Sequence, residues 1–267
     1  SWPFRAYLES PFNHDRDETK PGMDVVGFAK RMQREYGIHN IEPLNRHFGA
    51  TEADYLRQLR KDLKAVGTAI VNIPVDVLGS LYDTDQSARL HAVERRREWI
   101  DAAEIVGAPS IRVNDPAAPN SKPDVDRAAE SLRSLAAYGA QHGVVVNLEN
   151  DDLVSEDAFF QAKVIDAVNS PYLRALPDFC NSMLAGDEKF QYEAVAAMAK
   201  RAWNISHVKE SELGDNGKMF RIDIWKTFGI LKSAGFRGFY SMEWEGEGDP
   251  FEGTRELVAK SLKFLGG

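Results

Sequence analysis

Polar and apolar positions follow two alternating periods along almost the whole chain. Short runs rich in Val, Ile, Leu and Phe carry the two-residue period of strands. The longer runs between them place apolar residues three and four apart, the mark of amphipathic helices. Residues 4–9 read as the first strand, and Asp24 then caps a helix whose apolar face carries Val25, Phe28, Ala29, Met32 and Tyr36. Residues 38–42 are a second strand, stopped by Pro43, and residues 68–73 a third; between them a helix opens at 51–54 and ends at Gly67. A long charged helix over Gln86–Val106 stops at Gly107, and residues 110–114 form strand four. The Pro- and Asn-rich stretch 115–123 is a loop leading to a helix over Val125–His142. Strands five to eight fall at 144–149, 173–178, 204–210 and 238–243, alternating with helices near 156–168, 188–201, 223–234 and 253–264.

Eight strands alternating with eight helices predict an α/β fold, a single (β/α)8 TIM barrel spanning residues 1–267 as one domain. The length of 267 residues suits this, since such barrels run to about 250. The rival, an open doubly wound sheet, would carry a Gly-x-Gly-x-x-Gly turn after strand one, and none is there. The glycines of Glu245-Gly-Glu-Gly-Asp249 sit among acids at the wrong end of the chain for phosphate binding.

The last four strands each end on a ligand-type residue: Glu149, Asp178, His207 and Glu243, separated by 29, 29 and 36 residues. Each gap fits one strand-plus-helix unit, so all four side chains reach the same end of the barrel. Strand parity directs Asn147 and Glu149, Ile205 and His207, and Ser241 and Glu243 inward, together with Glu42, Asn72, Arg112 and Asn114 on strands two to four. These polar groups gather at the C-terminal mouth, where barrel enzymes keep their chemistry. Taken singly, each ligand has an ordinary explanation: Glu149 paired with Arg112, Asp178 a turn cap, His207 a satisfied core histidine, Glu243 part of an acidic loop. Taken together, three carboxylates buried on neighbouring strands repel one another and lose hydration unless a cation joins them. Hard oxygens with a single imidazole favour one divalent ion, Mn2+, Mg2+ or Co2+, with Zn2+ as a further candidate.

The bulk numbers narrow the partners. Hydrophobic residues make up 43% and charged residues 28%, as in a globule with a sizeable core, and the formal net charge of −8 argues against nucleic acid. No apolar run reaches the roughly 18 residues of a membrane span, so no membrane partner is expected. Cys180 is the one cysteine, which rules out an intrachain disulfide and fits a reducing compartment. A cytoplasmic location is the expectation, although the opening at Ser1 also fits an exported chain whose leader was removed. A homo-oligomer is left open.

The order Glu, Asp, His, Glu on strands five to eight, with His207-Val-Lys209-Glu210 and Glu243-Trp-Glu245, resembles the xylose isomerase-like TIM-barrel superfamily. It looks most like the sugar phosphate isomerase/epimerase branch, whose relatives include ketose 3-epimerases, hydroxypyruvate isomerases and inosose dehydratases. The resemblance covers nearly the whole chain, but its specific motifs lie within residues 144–250. It implies a divalent-metal-dependent isomerase or epimerase of a sugar or keto-sugar, phosphorylated or not, that transfers a proton through a metal-stabilised enediolate. Glu149 and Glu243 would be both metal ligands and the acid/base pair. Glu42, Asn72, Arg112, Asn114, Asn181 and Lys209 would meet the carbohydrate substrate, Arg112 also being suited to a phosphate or carboxylate. Trp244 and Trp225 are candidate pocket walls, with core packing the plainer reading of Trp225.

Asn181 stands where ketose epimerases usually carry a histidine, a departure from the pattern of a free-ketose 3-epimerase. The same ligand set also serves a lyase or dehydratase acting on a keto-sugar or inosose. A non-catalytic sugar-binding or partner subunit is the reading from another class. Apurinic-site endonucleases share the superfamily, but where their extra zinc-binding histidines would fall this chain has Asn114, Asn181 and Trp225.

Overall fold

Seven parallel strand positions, each followed by a helix on the outside, make the wall of a TIM barrel in the computed structural model, which describes residues 1–151, 156–185, 187–214 and 217–266. The first half contains α1 (Val25–Tyr36), β1 (Asn40–Ile41), α2 (Ala53–Ala65), β2 (Ala69–Ile70), β3 (Ile73–Val75), α3 (Gln86–Val106), β4 (Ser110–Val113) and α4 (Val125–His142). The second half contains β5 (Val145–Glu149), α5 (Ala158–Val168), β6 (Leu173–Leu176), α6 (Glu188–Ala199), β7 (Ile205–Val208), β8 (Ser211–Leu213), β9 (Met219–Arg221), α7 (Ile224–Ser233), β10 (Phe239–Met242) and α8 (Pro250–Leu265).

Seven of these helices begin at an aspartate: the side chains of Asp24, Asp85, Asp124, Asp157, Asp187, Asp223 and Asp249 each accept a hydrogen bond from a first-turn N–H. That satisfies donors the helix cannot satisfy itself, and it fixes where each helix leaves the strand before it. Gly37 and Gly143 end α1 and α4 in the left-handed region, at φ of 67° in both, where a side chain would be strained.

The wall is parallel throughout. β1 pairs with β2; β3, β4, β5 and β6 form one sheet in that order; β7 pairs with β10. β2 and β3 are two parts of one barrel strand, interrupted at Val71 and Asn72. β6 joins β7 through His207 N–H to Pro177 O and Phe179 N–H to His207 O, both 3.1 Å. Aliphatic side chains fill the space between sheet and helices. Inside the barrel, Val71, Leu176 and Ile205 form an apolar layer. Beside it Asn72, Ser110, Asn147 and Asn204 hydrogen-bond to one another.

Two expectations are corrected. Residues 4–9 are not a strand; Trp2–Tyr7 is a 3-10 helix. Pro3 has a preset φ and no N–H to lose, which suits a first helical turn. Phe4 and Leu8, four apart, are both buried, Phe4 against Phe28 and Phe251. This segment therefore lies over the barrel mouth and contributes no strand to the wall. Among the described residues β1 and β10 pair on one side only, and an open seam separates them. The second correction is an addition: β8 and β9 form an antiparallel hairpin after β7, in a stretch to which the sequence pattern assigns no element.

Candidate metal centre

β5, β6, β7 and β10 deliver Glu149, Asp178, His207 and Glu243 to one point at the C-terminal mouth, as the parity of their strands requires. One ligand atom from each lies within 4.8 Å of all the others. Two oxygens on opposite sides of an ion at about 2.1 Å stand about 4.2 Å apart, so the four atoms need only a small contraction to close on a cation. Glu149, Asp178 and His207 are buried and Glu243 nearly so.

His207 is the pivot of the cluster. Its Nδ1 donates to Glu149 Oε1 at 2.7 Å and stands 3.4 Å from Glu243 Oε2, while Nε2 donates to Glu42 Oε1 at 3.0 Å. Burial opposes charge on this ring, but Glu149, Glu243 and Glu42 outweigh it and hold its pKa well above the usual histidine range. Burial also acts on Glu243; His207 and Lys209 overcome it and hold that carboxyl well below the usual range. Asp178 moves the other way: burial, reinforced by Glu243 and Glu149, raises it well above an ordinary carboxylate.

Asp178 is fixed by its own loop. Oδ1 accepts from the N–H groups of Cys180 and Asn181 at 2.7 and 2.6 Å, and its backbone N–H donates to Asn150 Oδ1 at 2.8 Å. Its Oδ2 is buried without a hydrogen bond, with Lys209 Nζ 3.7 Å away. An unpaired carboxylate oxygen aimed into a cluster of ligand atoms fits a cation, because leaving it unpaired costs its full desolvation.

The other expected residues divide. Glu42 is buried behind His207, accepting from Asn72 Nδ2 at 2.7 Å and from the Ser241 hydroxyl. Asn72 thereby belongs to the inner polar layer. Arg112 Nη1 bonds Asp76 Oδ1 at 2.6 Å, and Nε lies 2.8 Å from Glu149 Oε2 as an ion pair. The pairing of Glu149 with Arg112 is thus real and coexists with the cluster. Lys209 Nζ pairs with Glu212 and stands 3.6 Å from both Glu243 and Glu245. Asn114 carries a buried, unpartnered Oδ1, and Asn181 is buried with Nδ2 3.5 Å from Asp151 Oδ1.

Seven carboxylates (Glu42, Asp76, Glu149, Asp178, Glu212, Glu243 and Glu245) thus share Arg112, His207 and Lys209, which leaves room for the charge of a divalent ion.

Sequence reasoning missed Asp76, Asn150, Glu156 and Glu212. Glu156 is buried with an unpartnered Oε2; burial and Asp151 raise its pKa well above normal. Burial and Glu245 push Glu212 up to about 7 against the pull of Lys209. Asp76 and Asn150 lie just beyond strands, Glu156 just before α5 and Glu212 within the short β8, where nothing in the hydropathy separates a buried acid or amide from a surface one. A cavity of about 690 Å3 lies beside the mouth, lined by Arg5, Tyr7, Lys20, Trp244 and Glu245 among others, and none of the four ligand residues lines it. Trp244 lines this cavity. Trp225 is instead a half-exposed residue packed on Phe228.

A barrel with three carboxylates and one imidazole converging at its C-terminal mouth defines the class. Residues 31–266 match the family described as xylose isomerase-like TIM barrel, and the chain belongs to it. No curated protein matches the sequence. Among solved structures the fold is similar to a D-psicose 3-epimerase studied with D-fructose, at 15% identity over 98% of both chains with a TM-score of 0.76. It is also similar to an L-ribulose 3-epimerase, at 17% identity over 90% of this chain and 89% of that one, TM-score 0.73. A 3-keto-D-glucoside 4-epimerase from E. coli aligns at 15% identity over 94% and 97%, TM-score 0.64. Among the described residues no helix is long and apolar enough to cross a membrane.

Proposed function

We propose that this chain, acting as one domain over residues 1–267, is a divalent-metal-dependent isomerase or epimerase of a sugar or keto-sugar. The observation that carries this is the convergence of Glu149, Asp178, His207 and Glu243 within 4.8 Å, with His207 Nε2 held by Glu42. Histidine ligands characteristically give their second ring nitrogen to a carboxylate, which fixes the tautomer and aims the ring. Glu149, Asp178, Glu243 and Nδ1 of His207 would hold the ion, Mn2+, Mg2+ or Co2+ by the hardness of the donors. A bound ion supplies Lewis-acid charge that acidifies the C–H beside a substrate carbonyl.

The chain's own groups do the rest. Glu149 comes from β5 and Glu243 from the end of β10, with β6 and β7 between them. A substrate carbon lying between the two meets a carboxylate on either side, so one removes the proton and the other returns it. Return to the same carbon inverts it; return to the next carbon moves the carbonyl. Lys209, held among Asp178, Glu243 and Glu245, keeps a positive charge beside the oxygens that gain negative charge. Trp244, Tyr7 and Arg5 line the cavity in which the remainder of the carbohydrate would lie.

Incubation with Mn2+ and a panel of ketoses, keto-glycosides and their phosphates in D2O tests this reading. Deuterium should enter a carbon-bound position of one substrate. Glu149→Gln should lower that exchange at least about 100-fold while the circular dichroism spectrum stays unchanged. Exchange at the wild-type rate in that variant would remove Glu149 from proton transfer.

A further inference from the structure

The cavity beside the metal centre, about 690 Å3, falls within the roughly 300–1,000 Å3 of small-molecule sites. A sugar held at the ligand cluster touches Glu149, Asp178, His207 and Glu243, and none of these lines the cavity. Its occupant is therefore something beyond the unit that reacts. Glu245 joins the two spaces. It lies in the cavity wall and 3.6 Å from Lys209 Nζ, which is itself 3.6 Å from Glu243.

The wall combines aromatic surface with tethered charges of both signs. The Trp244 indole is seated on two glycines: a Cβ on Gly253 would stand 2.1 Å from its Nε1, and one on Gly246 2.9 Å from its Cζ2. Both positions are thus bare where the ring packs on them. Tyr7 supplies a second aromatic surface, with Lys20 Nζ 5.6 Å from its ring centre. Arg5 and Lys20 face Asp15, Glu245 and Asp249 among the described lining residues. Arg5 Nη1 donates to Trp2 O at 3.1 Å, and Arg46 pairs with Asp15 at 2.7 Å. Glu245 Oε1 accepts from Trp2 Nε1 at 2.8 Å, and Asp249 Oδ1 from Phe251 N–H at 2.9 Å. A phosphate or carboxylate entering here would meet three carboxylates for two cations, a repulsive balance. A sugar hydroxyl both donates and accepts, so it uses charges of either sign, and the C–H face of a pyranose packs on an aromatic ring.

We propose that this cavity is a subsite for a second, uncharged sugar ring, so that the substrate is a glycoside whose keto-sugar unit reaches the metal centre while its other unit rests against Trp244. In naming a substrate this rests on the isomerase reading, but the subsite itself is a matter of binding and is read without turnover. A two-ring ligand fills the cavity and reaches past Glu245 toward the ligand cluster, whereas a single ring occupies one space or the other.

The test is calorimetric titration of the protein, stripped of metal by EDTA, with maltose, cellobiose, lactose and sucrose, with their component monosaccharides, and with glucose 6-phosphate. At least one disaccharide should bind about 10-fold or more tighter than either of its component sugars and than the phosphate ester. Trp244→Ala should bring that disaccharide and its components to within about threefold of one another. Lys20→Ala, a change at the surface, should weaken the disaccharide by about threefold or more, as the loss of one hydrogen bond does. Disaccharides that bind no tighter than their components, or not at all up to about 10 mM, would overturn the proposal. Tighter binding of glucose 6-phosphate than of every disaccharide would overturn it in favour of an anion site. Deuterium exchange in D2O with Mn2+ separates the two readings. Exchange into free keto-sugars but not into keto-glycosides sinks the subsite and leaves the isomerase. Tight disaccharide binding with no exchange into any sugar sinks the isomerase and leaves the subsite.

Discussion

Nδ1 of His207 lies 2.7 Å from Glu149 Oε1, while Nε2 of the same ring lies 3.0 Å from Glu42 Oε1. Both nitrogens face carboxylates, so both donate and the ring is an imidazolium when no ion is bound. A metal ligand must present a lone pair, and therefore an ion has to displace the Nδ1 proton. Burial also raises the carboxyl of Asp178, which makes it the second group from which an ion would displace a proton.

Metal binding should therefore release protons and tighten as pH rises. Groups whose pKa is raised hold their protons at low pH and lose them as pH climbs through the raised value, so affinity falls on acidification. The slope should approach tenfold per pH unit for each proton displaced. Titration calorimetry with Mn2+ in two buffers of different ionisation enthalpy measures the release directly. A flat affinity between about pH 6 and 8 with no proton released would contradict ligation by His207 Nδ1.

Glu42→Gln keeps the shape of the side chain but replaces the charged acceptor behind His207. Metal affinity should fall about 10- to 100-fold, as when other carboxylates behind histidine ligands are removed. Elemental analysis after dialysis at a fixed free metal concentration reads the change. The thermal midpoint without metal serves as the control for folding.

Arg112 is buried between Asp76 and Glu149. Arg112→Met removes the cation and leaves the two carboxylates, so unfolding free energy should drop by about 3 kcal/mol or more. Because the lost charge is positive, saturating Mn2+ should restore more stability to this variant than it adds to the wild type. Urea denaturation with and without the ion compares the two.

Gly139 lies in α4 where the chain folds back over the helix: Val144 N–H donates to Gly139 O at 2.9 Å. A Cβ at this position would meet Val144 O at 2.3 Å. Alanine in a helix interior is ordinarily worth about 1 kcal/mol over glycine, yet Gly139→Ala should destabilise by about 1–3 kcal/mol, because the obstacle is backbone that leads straight into β5. A shift of the urea midpoint to higher denaturant would show that the turn yields instead.

How far the sequence reached can be judged element by element. Gln86–Val106 and Val125–His142 are helices over the residues that their periodicity and flanking glycines mark, because propensity, an aspartate cap and an apolar face all agree there. Residues 4–9 failed because six residues with two apolar positions four apart satisfy a helical turn as well as a strand, and Pro3 with the contacts of Phe4 to Phe28 and Phe251 decided for the turn. The β8–β9 hairpin stayed hidden because each of its strands is only three residues long.

By itself, the sequence determined the alternation of strands and helices, the inward parity of Glu149, His207 and Glu243, and the spacing that brings four ligand-type residues to one rim. These are local and periodic properties, and a parallel barrel carries them into space without further choice. The tertiary structure alone decided that Glu42 stands behind His207, that Arg112 divides its charge between Asp76 and Glu149, and that β1 and β10 face each other across a seam. Those relations join residues far apart in the chain, and they follow from how strand edges and buried charges find partners, which no local pattern encodes.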